Sequence, residues 1–171
     1  MTETVAQTDS KTPSQPIYRR VPAYLIRRLQ LISVTVLAEA LEGEDMPVPQ
    51  WAVLTGIYSH PDIEQSSLAG IVSIDRTNTG RFVDRLEAKG LVERRPSGAD
   101  RRVWMLRCTP RGRRLRERLV DRARASQETL LATLSKAEQK QFIDLMERVV
   151  AANEAYVRPG AGRKRPKRPA E

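Results

Sequence analysis

The chain has 171 residues, a formal net charge of +9 and a hydrophobic content of 40%, which suits one domain with a core or a small domain with helical arms. One cysteine excludes an internal disulfide framework, and no apolar run approaches the roughly 18–20 residues that span a bilayer. The opening is polar and lacks a basic leader with an apolar centre. These features predict a cytoplasmic protein with one reduced thiol and no membrane partner.

The positive charge is concentrated in two segments. Residues 94–114 hold eight arginines against one acidic residue, and residues 158–171 hold six basic residues against one acidic residue. The rest of the chain is slightly acidic. This uneven distribution is typical of a nucleic-acid-binding surface rather than of a uniformly solubilising one.

The N-terminal part is predicted to contain two helices. Residues 1–16 are rich in threonine, serine and proline and have few apolar side chains, which predicts disorder. Apolar residues recur at spacings of three and four over residues 21–42, which predicts a long amphipathic helix that ends near Gly43. A second helix is predicted over residues 47–60, and Pro61 ends it.

The middle of the chain has the pattern of two helices followed by a basic hairpin. A short helix at residues 64–72 precedes a second helix at residues 75–89. Two strand-like runs, residues 91–95 and 103–107, flank the turn-rich and arginine-bearing loop 96–102. A helix suited to a major groove beside a basic hairpin suited to a minor groove is a winged helix-turn-helix. We therefore predict a mainly α fold with a small β-hairpin wing that binds double-stranded DNA.

The C-terminal part is predicted to contain two more helices. Thr109 and Pro110 begin the first, because a threonine cap followed by a proline favours a helix start; it is predicted over residues 110–134. Ser135 and Glu138 have the spacing of a capping box and open the last helix. Glycine, proline, lysine and arginine alternate toward the end of the chain, which predicts a disordered basic tail.

The first helix and the last two have more apolar surface than a winged helix needs to cover its own core, so we predict that they form a homodimer. The predicted organisation is a disordered segment at residues 1–16, a dimerisation helix at 17–45, a DNA-binding domain at 46–109, dimerisation helices at 110–157 and a basic tail at 158–171. A dimer would read two half-sites about one helical turn (~34–36 Å) apart. The alternative is that these helices pack only within a monomer.

Five motifs occur in a fixed order: P-Q-W-A-V-L at residues 49–54, D-R-T-N-T-G at 75–80, V-D-R-L-E-A-K-G-L-V at 83–92, D-R-R at 100–102 and L-R-C-T-P-R-G at 106–112. In this order and spacing the chain resembles the MarR family of bacterial transcription regulators over residues 18–150. The resemblance implies homodimers that bind palindromic operators, usually as repressors. It also implies release of DNA when a small ligand, often aromatic or anionic, enters a pocket between the dimer and DNA-binding regions.

Within that family, the segment A-Y-L-I-R-R at residues 23–28 looks like the G-Y-L-L-R-R pattern of regulators of aromatic-acid breakdown, although Ala23 stands where the pattern usually has glycine. This likeness implies an aromatic acid or an aromatic acyl-CoA as the effector. Such a ligand needs a flat apolar surface and a cation, which the first two predicted helices supply. The candidate ligand-binding residues are Tyr24, Arg28, Trp51, Leu54 and Tyr58. Each of them could equally belong to the core or to a subunit interface.

The second helix of the winged helix-turn-helix is predicted to be the recognition helix. Helical spacing places Thr79, Val83 and Leu86 on one face, which we predict to be buried. The candidate DNA-binding residues lie on the opposite face and its edges: Arg76, Thr77, Asn78, Gly80, Arg81 and Arg85. Gly80 has no side chain and would let the backbone approach the groove closely.

Base contacts are predicted for two of these residues. Arg81 offers a fork that matches O6 and N7 of guanine, and Asn78 offers an amide that matches adenine. For Arg76 and Arg85, a base contact competes with two other roles. One is a phosphate contact, and the other is a salt bridge to a nearby acidic residue, Asp84 or Asp100.

The loop 96–102 is predicted to be the tip of the wing. Arg101 is the candidate for the minor groove. Arg102 resembles the family arginine that pairs with the wing aspartate, here Asp100, to hold the hairpin in shape. Contacts with phosphates or solvent, rather than with bases, are predicted for three arginines of the strands: Arg94, Arg95 and Arg107. The alternative for this loop is a generic solvated turn.

Other chemistries have little support in the sequence. Cys108 closes an apolar strand, so a buried and inert thiol is favoured over a redox sensor. His60 stands alone at a helix end, no metal-ligand spacing occurs, and no cofactor is predicted. The absence of a phosphate loop and of a nucleophile–base constellation argues against an enzyme. The alternative function is a winged helix that mediates protein–protein contact without sequence-specific DNA binding, and the arginine-rich wing argues against it.

Overall fold

The computed structural model describes residues 20–98, 100 and 103–156. This part of the chain forms α1 (Pro22–Ala40), α2 (Val48–Ser59), β1 (Ile63–Glu64), α3 (Gln65–Val72), α4 (Arg76–Ala88), β2 (Val92–Pro96), β3 (Trp104–Cys108), α5 (Pro110–Leu130), α6 (Lys136–Ala152) and a short 3-10 helix (Glu154–Tyr156). The fold is mainly helical with a small antiparallel sheet, as predicted. The predicted disordered segment 1–16 and the basic tail 158–171 lie outside the described residues.

Side-chain caps start three of the helices, and those at Thr109 and Ser135 are at the predicted positions. The Asp75 carboxylate accepts a hydrogen bond from the backbone N–H of Asn78 at 2.9 Å and caps α4. The Thr109 hydroxyl accepts one from the backbone N–H of Gly112 at 3.1 Å and caps α5. The capping box that opens α6 is present in both directions. Each cap joins residues only a few positions apart, so helix starts of this kind can be predicted from the sequence. Loss of one cap typically costs a helix about 1 kcal/mol.

The sheet has the order β1-β3-β2, and both pairs are antiparallel. The hairpin pairs Val92 with Cys108 at its base and Pro96 with Trp104 toward its tip. Both strands begin one residue later than predicted. The reason at β2 is that Leu91 still belongs to the helix end, where its N–H donates to the Leu86 carbonyl while Gly90 takes a φ of +66°. Strand β1 was not predicted, because two residues carry no recognisable pattern.

The core lies where α2, α3, α4, the sheet and the first half of α5 meet. It includes large side chains that are completely buried: Val53, Leu54, Ile57, Leu68, Val83, Leu86, Leu106 and Leu119. Burial of each such side chain contributes about 1.5–3 kcal/mol. Thr79 is buried among them, and its hydroxyl donates to the Ile74 carbonyl at 3.2 Å, so no polar group is left unsatisfied there.

The start of α5 rests directly on the end of α4. The Thr109 N–H donates to the Leu91 carbonyl at 3.0 Å, and its hydroxyl donates to the Gly90 carbonyl at 2.7 Å. A Cβ atom added at Gly112 would lie 2.0 Å from the Leu91 carbonyl oxygen, a distance that no side chain tolerates. Glycine at this position is therefore a steric requirement of the junction.

The terminal helices differ from this core, because α1 and α6 bury none of their described residues within the chain. Large exposed apolar side chains line both helices: Leu25, Ile26, Leu29, Leu31, Ile32 and Val34 on α1, and Ile143, Leu145, Met146, Val149 and Val150 on α6. Helix α1 packs along α5. Helix α5 ends at Leu130, four residues before the predicted end, because the chain turns over residues 131–134. None of the helices in the described part of the chain is apolar enough over sufficient length to cross a membrane.

Candidate nucleic-acid interface

Helix α4 divides its residues between core and solvent as predicted. Thr79, Val83 and Leu86 are buried. The predicted DNA-binding side chains of this helix are on the solvent side: Arg76, Thr77, Asn78, Arg81 and Arg85 are exposed, and Gly80 is half-buried. Helix α4 lies beside β2 of the hairpin in the described structure.

The three exposed arginines of α4 form no ion pair with any residue that the structure describes. Of the roles considered for Arg76 and Arg85, the salt bridge to Asp84 is therefore not formed, because Asp84 pairs with an arginine of the wing strand instead. Arg81 stands one helical turn before Arg85 on the same surface. Unpaired guanidinium groups at this spacing are available for phosphate or base acceptors.

Asn78 has a second role that the sequence did not indicate. Its side-chain nitrogen donates to the Asp75 carboxylate at 2.7 Å, in addition to the backbone hydrogen bond that caps the helix. These two hydrogen bonds from Asn78 hold the pKa of the Asp75 carboxyl below its ordinary value. The contact with adenine stays a prediction, and it would have to coexist with, or replace, the bond to Asp75.

Arg94 corrects one of the sequence expectations. We expected it to contact phosphates or solvent, but its guanidinium is bound on three sides within the protein. Nε donates to the Gln65 side chain at 2.9 Å, one terminal nitrogen donates to Asp84 at 2.6 Å, and the other donates to Glu87. Only 17% of its side chain is exposed. Hydrophobic periodicity could not reveal these partners, because they lie 7 to 29 residues away along the chain.

Arg107 and Arg95 are also ion-paired, in different ways. Two nitrogens of Arg107 donate hydrogen bonds to the Asp62 carboxylate. This bidentate pairing lowers the pKa of the Asp62 carboxyl and raises the pKa of the Arg107 guanidinium. Because 36% of the Arg107 side chain is exposed, the expected contact with phosphates or solvent stays a prediction for this residue. Arg95 pairs with Glu93 of its own strand at 2.7 Å and remains 59% exposed. It is the more accessible of the two neighbouring arginines of β2.

The tip of the wing is only partly described. Asp100 is described and exposed, whereas Arg101 and Arg102 lie outside the described residues. The minor-groove role of Arg101 and the pairing of Arg102 with Asp100 therefore stay predictions.

Cys108 is buried and chemically quiet, as predicted. Its thiol lies 3.7 Å from the Leu54 carbonyl oxygen, and burial raises its pKa to about 11, so the reactive thiolate is scarce at neutral pH. His60 caps the end of α2, with Nδ1 3.1 Å from the Gly56 carbonyl oxygen. In the part of the chain that the structure describes, no three metal-binding side chains cluster.

A second candidate site lies between α2 and α5. The Arg116 guanidinium stacks over the Tyr58 ring at 4.4 Å, and the Tyr58 hydroxyl donates to Glu117 at 3.2 Å. Arg116 Nε and the Thr55 hydroxyl are buried without a hydrogen-bond partner in the described structure. A cavity of about 270 Å³ opens beside Tyr58 and is also bordered by Arg113 and Glu117, whereas Thr55 and Arg116 do not line it. Buried polar groups without partners are rare in proteins and mark places where a ligand or water is expected.

The predicted ligand-binding residues are distributed over several environments. Tyr58 borders this cavity, Trp51 and Leu54 are in the core, Tyr24 is half-buried on α1, and Arg28 is exposed. Leu54 has no exposed surface, which places it in the core that was considered as its alternative. Thr55 and Arg116, whose buried polar atoms lack partners in the described structure, were not among the predicted residues. The signal for Arg116 would have been its position among the apolar residues of α5.

The fold and the exposed arginines of α4 define a winged-helix protein. Residues 46–104 match the family model described as the MarR family. A candidate transcriptional regulatory protein for the hcr operon of Thauera aromatica is 30% identical over 125 residues, which cover 72% of this chain and 75% of that protein. This chain belongs to the MarR family of transcription regulators, as its motifs predicted, and the members of this family are not enzymes.

Solved structures agree with this assignment. The PcaV transcriptional regulator of Streptomyces coelicolor, in complex with its natural ligand, is 32% identical and superposes with a TM-score of 0.72 over 81% of this chain and 98% of that chain. Wild-type MarR of Escherichia coli, in its apo form, is 26% identical with a TM-score of 0.67 and covers 75% of this chain and 96% of that chain. The predicted fold class is thus confirmed.

Proposed function

We propose that the protein is a homodimeric repressor that acts in the cytoplasm, binds a palindromic operator and is released from it by a small aromatic effector. The observation that carries the DNA-binding part is the surface of α4. It presents Arg76, Arg81 and Arg85 to solvent without an ion pair to any described residue, while Thr79, Val83 and Leu86 anchor the helix in the core. An anchored helix with available guanidinium groups is what a major groove requires.

The apolar faces of α1 and α6 support the homodimer. Neither helix buries a described residue within one chain, although both carry rows of large apolar side chains. Exposed rows of large apolar side chains are unfavourable in water and mark an interaction site. A second copy of the same chain would cover both faces symmetrically and would align two recognition helices with the halves of a palindrome.

The site between α2 and α5 supports an aromatic, anionic effector. Tyr58 offers an aromatic ring on which Arg116 stacks, and Arg116 and Thr55 of α2 each have a buried polar atom without a hydrogen-bond partner in the described structure. An aromatic carboxylate, or the thioester carbonyl of an aromatic acyl-CoA, would satisfy these groups and gain stacking energy from the ring. The PcaV structure was obtained with that protein's natural ligand, so a ligand-bound form exists for a protein with this fold and 32% identity.

The DNA-binding part is tested by selecting operators from random duplexes and measuring affinity for the selected and for scrambled DNA at several salt concentrations. The proposal requires a palindromic selected sequence, bound at least about 10³-fold more tightly than scrambled DNA. A protein-interaction module would bind both duplexes equally weakly.

The effector part is tested by adding benzoate in one arm and benzoyl-CoA in another to the protein–operator complex. At least one arm should release the operator, and Arg116→Gln should abolish release at unchanged operator affinity. Arg124→Gln is the matched control, because Arg124 is on the same helix with 72% of its side chain exposed. Release that survives Arg116→Gln would place the effector elsewhere.

A further inference from the structure

The contacts of Arg94 carry an inference that rests on the proposed DNA-binding function and goes beyond it. We propose that Arg94 is a positioning residue. It fixes the recognition helix α4 against the wing and keeps the α4 arginines available for DNA, and it thereby sets the discrimination between operator and other DNA.

The first step is the geometry of the guanidinium. Arg94 lies in the middle of β2, where it pairs across the hairpin with the buried Leu106. Its three donor positions bind three acceptors on two other elements: Gln65, the first residue of α3, and Asp84 and Glu87, one turn apart on α4. A single planar group thus joins the wing to both helices of the helix-turn-helix.

The second step is rigidity. The donors of an arginine point in fixed directions, so three simultaneous bonds define an orientation as well as a distance. The Arg94 side chain is 17% exposed, which limits competition from water. The ion pair of Arg95 differs, because it joins Arg95 to Glu93 of the same strand and constrains no second element.

The third step is electrostatic. Asp84 lies three residues after Arg81 on the exposed side of α4. A carboxylate at that spacing attracts helix cations, and it also repels DNA phosphates. In this structure Asp84 is held by Arg94, and neither Arg81 nor Arg85 pairs with a described residue. Arg94 therefore occupies the acceptor that would otherwise capture the base-reading arginine.

The test compares Arg94→Gln with Arg95→Gln, which remove the same charge from adjacent positions of one strand. Affinity for the selected operator and for scrambled DNA is measured for each variant, together with Tm. Arg95→Gln should lower the affinity for both duplexes by the same factor. Arg94→Gln should lower the ratio of operator to scrambled affinity by about tenfold or more, the size of one lost base contact. A merely structural role would change Tm without changing this ratio.

Two further variants separate the causes and remain informative if Arg94→Gln folds poorly. Arg94→Lys keeps the charge and the aliphatic stem but cannot make three directed bonds, so the ratio should still fall severalfold. Adding Asp84→Asn to Arg94→Gln removes the carboxylate that would pair with Arg81 in the Arg94 variant. This second change should restore part of the ratio of operator to scrambled affinity. The proposal is overturned if the Arg94 and Arg95 variants change operator and scrambled affinities alike. If the unmodified protein selects no operator, the proposed function itself fails, which is a separate result.

Discussion

Helices α4 and α6 share an amphipathic sequence pattern, but the apolar face of α4 is buried and that of α6 is exposed. Both begin with a side-chain cap and both are amphipathic. In α4 the apolar residues Val83 and Leu86 are completely buried. In α6 the apolar residues Met146, Val149 and Val150 are between 43% and 59% exposed.

The difference teaches that an amphipathic pattern identifies a face that must be covered but not what covers it. The winged-helix region covers the apolar face of α4 within one chain, because α2, α3 and β2 pack against it. The apolar faces of the terminal helices α1 and α6 stay exposed within one chain, and we propose that a partner covers them. Five predictions test this division, from the largest expected effect to the smallest.

If the winged-helix region is closely packed, it should not tolerate one extra methyl group at its junction with α5. Gly112→Ala would place a Cβ 2.0 Å from the Leu91 carbonyl oxygen, so we expect a loss of about 3 kcal/mol or more in the free energy of unfolding. Urea denaturation measures this loss. Gly70→Ala is the control, because a Cβ there meets nothing within 4 Å and should be neutral or stabilising. Equal stabilities would contradict the packing at this junction.

If the terminal helices are completed by a partner, a charge on α6 should separate the subunits. Light scattering should give about twice the 19.3 kDa chain mass for the unmodified protein. Val149→Glu should weaken the dimer by roughly 3 kcal/mol or more, because a carboxylate would be taken out of water. Ile71→Glu is the matched control, since Ile71 is 45% exposed but lies on α3. A protein that is monomeric before mutation would favour the alternative of packing within the monomer.

Removing an arginine from α4 should affect DNA binding differently from removing one from the wing. Arg81→Ala should weaken operator binding by roughly 1–3 kcal/mol and relax the preference at one symmetric pair of positions. Arg101→Ala should instead weaken binding more evenly across sequences, with a preference lost only in A·T-rich flanks. Fluorescence anisotropy with variant operators measures both. Equal losses on operator and random DNA for Arg81→Ala would show that Arg81 contacts phosphate.

The substitution Gly80→Ala should raise the stability of the protein and lower its affinity for the operator. A Cβ there would lie 3.8 Å from the Gln65 side chain, an ordinary contact, so Gly80→Ala should stabilise α4 by up to about 1 kcal/mol. The same methyl group should weaken operator binding if the backbone approaches the groove at this point. Thermal unfolding and anisotropy on one preparation test both effects, and unchanged binding would place Gly80 away from DNA.

The smallest effect is expected from the basic tail. Deleting residues 159–171 should weaken binding to all DNA at low salt, because each phosphate that the tail neutralises adds about −0.9 to the slope of log K against log salt. The prolines and glycines of this segment disfavour a helix that could enter a groove. The ratio of operator to random affinity should stay nearly constant. A large fall in that ratio would mean that the tail reads sequence or groove shape.

The local features of this protein were readable from the sequence alone. Helix positions, the caps at Thr109 and Ser135, the buried face of α4 and the hairpin all follow from interactions within a few residues. The family motifs are local in the same sense. The small errors, one residue at each strand and four at the end of α5, arose where a turn with its own hydrogen bonds replaced regular structure.

The partners of the charged residues were decided only by the tertiary structure. Arg94 and Arg95 are adjacent and identical in type, yet one binds three side chains of α3 and α4 and the other pairs within its own strand. Likewise, Arg107 meets Asp62 across 45 residues of sequence, and Arg116 stacks on Tyr58. Side-chain direction alternates along a strand, and the fold determines which distant group each side chain meets. Composition records that the arginines are present, whereas the fold decides which of them remain available for DNA.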